Sequence, residues 1–179
     1  MARQTRNEIR EDILRTASGL FASKGFLGTS LQDIAGSVGY SKAALLYHFD
    51  SKMAILAELI RPGLDALAAL CEHLASMDGV AAQRAAVDGF VDVAVRYRRE
   101  CAVIFGNLSA LFEDPQLAEL QETAEELRCA LSGGSDELPS SLAALFVLTG
   151  VAAACTEAVD VPDDELRTAL IHVTSRLLP

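Results

Sequence analysis

Residues 29–52 read Thr-Ser-Leu-Gln-Asp-Ile-Ala-Gly-Ser-Val-Gly-Tyr-Ser-Lys-Ala-Ala-Leu-Leu-Tyr-His-Phe-Asp-Ser-Lys, the punctuation of two short helices joined by a tight turn. Leu31, Ile34, Ala35 and Val38 fall at i, i+3, i+4 and i+7 and draw one apolar stripe along the first helix. Ser30 is placed to cap that helix, with Asp33 completing a box-like pair three residues on. Gly39 stands where the helix must stop in a left-handed residue, and Ser41 is placed to cap the next one. Ala35 is small where two helices must cross closely. In the second helix Leu45 and Phe49 lie four apart and face inward, which leaves Lys42, Ala43, Leu46 and Tyr47 on the opposite side. The pattern is that of a helix-turn-helix, whose second helix enters the major groove of DNA. An ordinary helical hairpin leaves the ordered elements around Phe21, Gly25-Phe26, Gly39-Tyr40-Ser41 and His48-Phe49-Asp50-Ser51-Lys52 unexplained.

Charge is the objection to a DNA partner, because the 179-residue chain carries a formal net charge of −10. The charge is segregated. Residues 1–62 hold eight Lys+Arg against six Asp+Glu, whereas residues 63–179 hold seven against nineteen. Arg3, Arg6 and Arg10 precede or open a first helix near residues 8–24, and Lys42 and Lys52 bracket the second helix of the motif. Phosphate neutralisation by such groups makes affinity fall steeply with salt.

Outward from the motif the spacing predicts only helices: 51–76 with Pro62-Gly63 marking a kink or break, 79–99, 101–112, one starting at Asp114-Pro115, 138–159 and 163–178. Ser132-Gly133-Gly134-Ser135 is the clearest loop. The fold class is therefore all-α: a three-helix domain over residues 1–50 and a larger helical bundle over 51–179. No apolar leader follows the charged start, which places the protein in the cytoplasm. Leu138 to Thr156 carries no charge, just long enough to span a membrane; Pro139, Ser140, Ser141, Thr149 and the acidic flanks favour a bundle helix instead. Cys71, Cys101, Cys129 and Cys155 lack metal-ligand spacing, so no metal or cofactor is expected, and a thiol sensor would require an accessible cysteine of low pKa. His73 and His172 are isolated and no phosphate-binding loop occurs, so no catalytic constellation is visible.

Over its first third the chain resembles the TetR family of one-component transcriptional repressors. The resemblance implies a homodimer that binds a palindromic double-stranded operator, with the last two helices of each subunit forming the interface. It implies that Tyr47 and His48 approach the DNA backbone or base edges and that Lys52 contacts a phosphate. Thr29 and Ser41 could bond phosphates through hydroxyl or cap amide groups, and Lys42 is the leading candidate for direct readout of guanine. Ala44 and Leu46 depart from the family pattern, which commonly has Thr and Tyr there. Apolar contacts from Ala43, Ala44 or Leu46 to thymine methyls could replace part of the lost readout, although Leu46 could equally pack inside.

The same resemblance implies an effector pocket among the middle helices, with Leu67, Cys71, Phe90, Val91, Ile104, Phe105, Leu108 and Leu127 as candidate lining and a small hydrophobic molecule as ligand. Interface candidates are Leu145, Phe146, Thr149, Ala153, Leu170, Val173 and Leu177. Arg96, Tyr97, Arg98 and Arg99 form the one basic cluster outside the first domain, suited to an anionic effector or to a solvated helix end. The alternative reading is a helical adaptor with weak or no sequence-specific DNA binding.

Overall fold

The computed structural model describes residues 5–77, 79–106 and 115–178, all as helix, turn or loop. Nine α-helices are seen among them: α1 (Arg6–Lys24), α2 (Leu31–Val38), α3 (Lys42–His48), α4 (Lys52–Leu74), α5 (Gly79–Arg96), α6 (Arg98–Phe105), α7 (Ala118–Leu131), α8 (Leu138–Glu157) and α9 (Asp163–Thr174). Arg3 and Leu108 lie outside the described residues, as do residues 107–112 of the helix expected over 101–112.

Local chemistry accounts for the ends of the short helices. Ser30 accepts from the Asp33 amide while the Asp33 carboxylate accepts from the Ser30 amide, a complete capping box. Thr5 and Glu8 make the same arrangement at α1. Gly39 closes α2 at φ 86°, a left-handed conformation that costs an L side chain about 1–2 kcal/mol. Ser41 then caps α3 through the Ala44 amide. Pro62 does not break α4, which runs through it from Lys52 to Leu74; of the expected kink or break, the break is corrected to a continuous helix. Pro115 opens a single 3-10 turn ahead of α7 instead of the α-helix itself.

Two cores follow. The first gathers Ile13, Ala17 and Phe21 of α1, Phe26, Ile34 and Ala35, Leu45 and Phe49, with Ile55, Leu56, Ile60 and Leu64 of α4, and is closed by Val103 of α6, Leu117 and Leu120. The second joins α5, the end of α4, α7, α8 and α9 around Val91, Leu127, Leu131, Val147 and Val151. The first half of α4 thus belongs to the amino-terminal core and its second half to the bundle. Ala35 is fully buried at the α2 crossing. Ala35→Leu should overpack it and cost about 1–3 kcal/mol, read as a lowered urea midpoint with an unchanged m-value.

Candidate nucleic-acid interface and cavity

The α3 helix is anchored from below and bare above. Leu45 is fully buried and Phe49 nearly so, while Ser41, Lys42, Ala43, Ala44, Leu46 and Tyr47 are exposed. Leu46 retains 38% of its surface and Tyr47 73%, so Leu46 faces outward and is not packed inside the domain. Arg6 lies with its guanidinium 5.6 Å from the Tyr47 ring centre. Arg6 and Tyr47 are therefore grouped on one outer surface, a cation and hydroxyl pair suited to phosphate contacts, and Lys42 is exposed at the start of the same helix.

Arg10 sets the pose of α3. Its guanidinium donates to the His48 carbonyl at 2.5 Å, pairs with Glu58 of α4, and lies 4.3 Å from the Phe49 ring centre. One side chain thus ties the end of the probe helix to both α1 and α4. His48 packs edge-on against Tyr47, and its Nδ1 is buried without a hydrogen-bond partner among the described residues. Burial, then the nearby Arg6 and Arg10 charges, lower its pKa below the ordinary value.

Two expected contacts are turned inward. Thr29 is 1% exposed, and its hydroxyl donates to the Gly25 carbonyl at 2.8 Å and the Leu20 carbonyl at 3.3 Å. The expectation that this hydroxyl meets a phosphate is corrected: it closes the loop between α1 and α2. Lys52 donates through Nζ to the carbonyls of Phe26 at 2.6 Å and Thr29 at 2.7 Å, and the ammonium sits 4.3 Å from the Phe26 ring centre. Burial lowers its pKa. The ammonium is thus engaged with the α1–α2 loop, where a backbone phosphate would have to compete with two carbonyls.

A cavity of about 520 Å³ opens among α4, α5, α6, α7 and α8. Leu67, Phe90, Ile104, Phe105 and Leu127 line it as expected. Cys71 and Val91 do not: Val91 is sealed in the bundle core, and Cys71 borders a separate cleft, its thiol turned to the Thr123 carbonyl at 3.7 Å. Leu145 and Thr149, read as interface residues, border the cavity instead of facing only outward. Cys101, Leu120, Gln121, Glu125 and Arg128 also line it, none of them among the expected pocket residues. Burial pushes the Cys101 thiol up to about 12 and the Cys71 thiol to about 11, so both stay protonated and poorly nucleophilic at neutral pH.

The α8 helix buries only the stripe Ala144, Val147, Val151 and Cys155. Leu142, Leu145 and Phe146 stay exposed beside it, with Val173 and Leu177 exposed at the other end of the chain. Leu170 is corrected from an interface position to the core of the chain itself, being 8% exposed. Among the described residues α8 is the one helix long and apolar enough to cross a membrane, yet its stripe is part of the bundle core.

These features define a helix-turn-helix domain carried on an all-helical bundle that holds a ligand-sized apolar cavity. The family model described as bacterial regulatory proteins, tetR family, matches residues 13–59. The uncharacterized HTH-type transcriptional regulator YerO of Bacillus subtilis (strain 168) is 50% identical over 50 residues, covering 28% of this chain and 17% of that protein. The biofilm operon icaADBC HTH-type negative transcriptional regulator IcaR of Staphylococcus aureus (strain Newman) is 44% identical over 59 residues, 33% of this chain and 32% of that protein. The chain thus spans less than a third of the curated relatives it matches. Along its length it superposes on the TetR family transcriptional regulator PfmR of Thermus thermophilus, with 26% identity, TM-score 0.67, and 93% and 96% of the two chains covered. Residues 13–59 thus form a TetR-type regulatory domain, and the chain as a whole resembles TetR-family regulators in fold.

Proposed function

We propose that the protein is a cytoplasmic homodimeric repressor that reads a palindromic operator with α3 and releases it when a small hydrophobic effector enters the bundle cavity. The observation that carries the reading is α3 itself, whose outer face is left free while Leu45, Phe49 and the Arg10 clamp fix its base. The exposed apolar face of α8 with Val173 and Leu177 supports pairing of two copies, which would present two probes to successive major grooves. Repression extends to this chain by likeness to IcaR in the amino-terminal third.

The geometry of α6 supports effector control. Ile104 lines the cavity and also packs against the amino-terminal core, where its neighbour Val103 is buried. An occupant displacing α6 therefore acts on the helices that carry α3, which gives the two sites a coupling route.

Selection of random duplexes with the purified protein tests the reading. An enriched palindrome supports it, whereas binding that is indifferent to sequence and lost in salt supports the adaptor reading, for which the missing hydrogen-bonding groups at Ala44 and Leu46 speak. Tyr47→Ala should weaken binding to the selected site about fivefold to a hundredfold, from loss of one phosphate or base contact of roughly 1–3 kcal/mol, with the melting temperature unchanged because the side chain is mostly exposed. Fluorescence anisotropy and a thermal melt on the same sample check both halves.

A further inference from the structure

The cavity's charge arrangement narrows the chemistry of what it can hold. Its interior is built from Leu67, Phe90, Ile104, Phe105, Leu127 and Leu148. Among the described lining residues, the polar ones are few and mostly committed. The Thr149 hydroxyl donates to the Leu145 carbonyl at 2.7 Å, and the Cys101 thiol is kept neutral by burial. Glu125 and Arg128 are the ionised pair of the wall, and they close on each other through two bonds, Nε to Oε2 at 2.8 Å and Nη2 to Oε1 at 2.6 Å. A forked pair of this kind satisfies both charges mutually. The acidic partner is the more exposed, with 64% of the Glu125 side chain accessible against 31% for Arg128. Glu122 and Glu126, also exposed on α7, add negative charge to that helix.

We infer that the cavity selects uncharged lipophilic molecules and that Glu125, by holding the Arg128 guanidinium, rejects anionic ones. This rests on the reading of the cavity as the effector site. An anion entering the cavity leaves water for a wall whose one lining cation among the described residues, Arg128, is already held by Glu125, so its desolvation is poorly compensated. An uncharged molecule of the same shape loses only the water around its apolar surface, which favours entry. Removing the Glu125 charge frees the Arg128 fork to face the cavity, and the same wall then accepts a sulfonate or carboxylate.

The test uses two fluorophores of one frame, N-phenyl-1-naphthylamine, uncharged at pH 7, and 8-anilino-1-naphthalenesulfonate, which adds one anionic group. Titrated into the full-length protein, the uncharged probe should bind at least tenfold tighter than the sulfonate. In Glu125→Gln the sulfonate should gain about tenfold while the uncharged probe is unchanged. Glu122→Gln, the same charge change on α7 away from the cavity lining, should move neither. Ala152→Phe and, as a second filling variant, Ala124→Phe should abolish tight binding of the uncharged probe in whichever folds with wild-type helicity. Sulfonate binding as tight as that of the uncharged probe in the wild type, or no sulfonate gain in Glu125→Gln, overturns the selection while leaving the cavity as a ligand site. Persistence of uncharged-probe binding in a folded filling variant, or binding of neither probe, overturns the cavity reading and the selection with it.

Discussion

Lys52→Met is expected to unfold the amino-terminal domain more easily by about 2–3 kcal/mol, and to leave the salt dependence of DNA binding as it was. The first half follows from the two carbonyls that Lys52 satisfies. Its Nζ meets Phe26 at 2.6 Å and Thr29 at 2.7 Å across separations of 26 and 23 residues, and hydrogen bonds to a charged group contribute roughly 1.5–3 kcal/mol each when part-buried. Water recovers a share, since Lys52 is only half-buried. The methionine keeps the stem and its contact with Phe26 but loses the donor, so the α1–α2 loop is released from the start of α4. The second half separates this role from the phosphate contact implied by the family resemblance. A lysine neutralising a phosphate contributes about 0.9 to the slope of log K against log salt, and its removal lowers that slope by about one. An unchanged slope measured well below the melting midpoint, together with a lower midpoint, assigns Lys52 to holding the domain together. A reduced slope with an unaltered midpoint returns it to the DNA face.

The contrast between Lys52 and Ser41 shows what could be read in the chain itself. Every signal that located the motif acts over four residues or fewer: the Ser30–Asp33 box, the left-handed Gly39, the Ser41 cap, and the Leu45–Phe49 pair. Such signals are local, and the structure reproduces them. Lys52 is local in position but long-range in partner. Nothing within a turn of Lys52 reveals that its ammonium reaches back to Phe26, nor that Arg10 holds the carbonyl of His48. A hydrophilic residue in the first turns of a helix reads as surface until its partner is known.

The cavity was legible in the same partial way. Apolar residues on the middle helices include Leu67, Phe90, Ile104, Phe105 and Leu127, but whether a helix face meets another helix or a void depends on how five helices pack. Val91 and Phe90 are adjacent on α5, yet Val91 is fully sealed in the core while Phe90 borders the cavity. Glu125 and Arg128, three apart on a helix, have the spacing of a solvated surface pair; only the tertiary arrangement sets them at the cavity wall.

In the homodimer proposed above, Phe146→Glu should convert the dimer to a monomer and weaken operator binding by about a hundredfold to a thousandfold. In the protomer Phe146 keeps 63% of its surface, with Leu142 at 43% and Leu145 at 48% beside it, so the substitution removes little from the protomer's own core and its helicity should be retained. In a twofold arrangement the same patch serves both partners, so one substitution introduces two carboxylates. Each loses the burial of an aromatic anchor, a position that commonly costs about 2 kcal/mol or more when truncated, and each adds a charge that has to be desolvated. The operator feels the loss because two linked half-sites are held far more tightly than one, the second contact being made at high effective concentration. Sedimentation velocity should show half the wild-type mass, and titration against full and half operators should give the variant nearly equal affinities where the wild type strongly prefers the full site. A variant that still sediments as a dimer places the pairing surface away from α8; a monomer that keeps full operator affinity removes the need for pairing from the mode of binding.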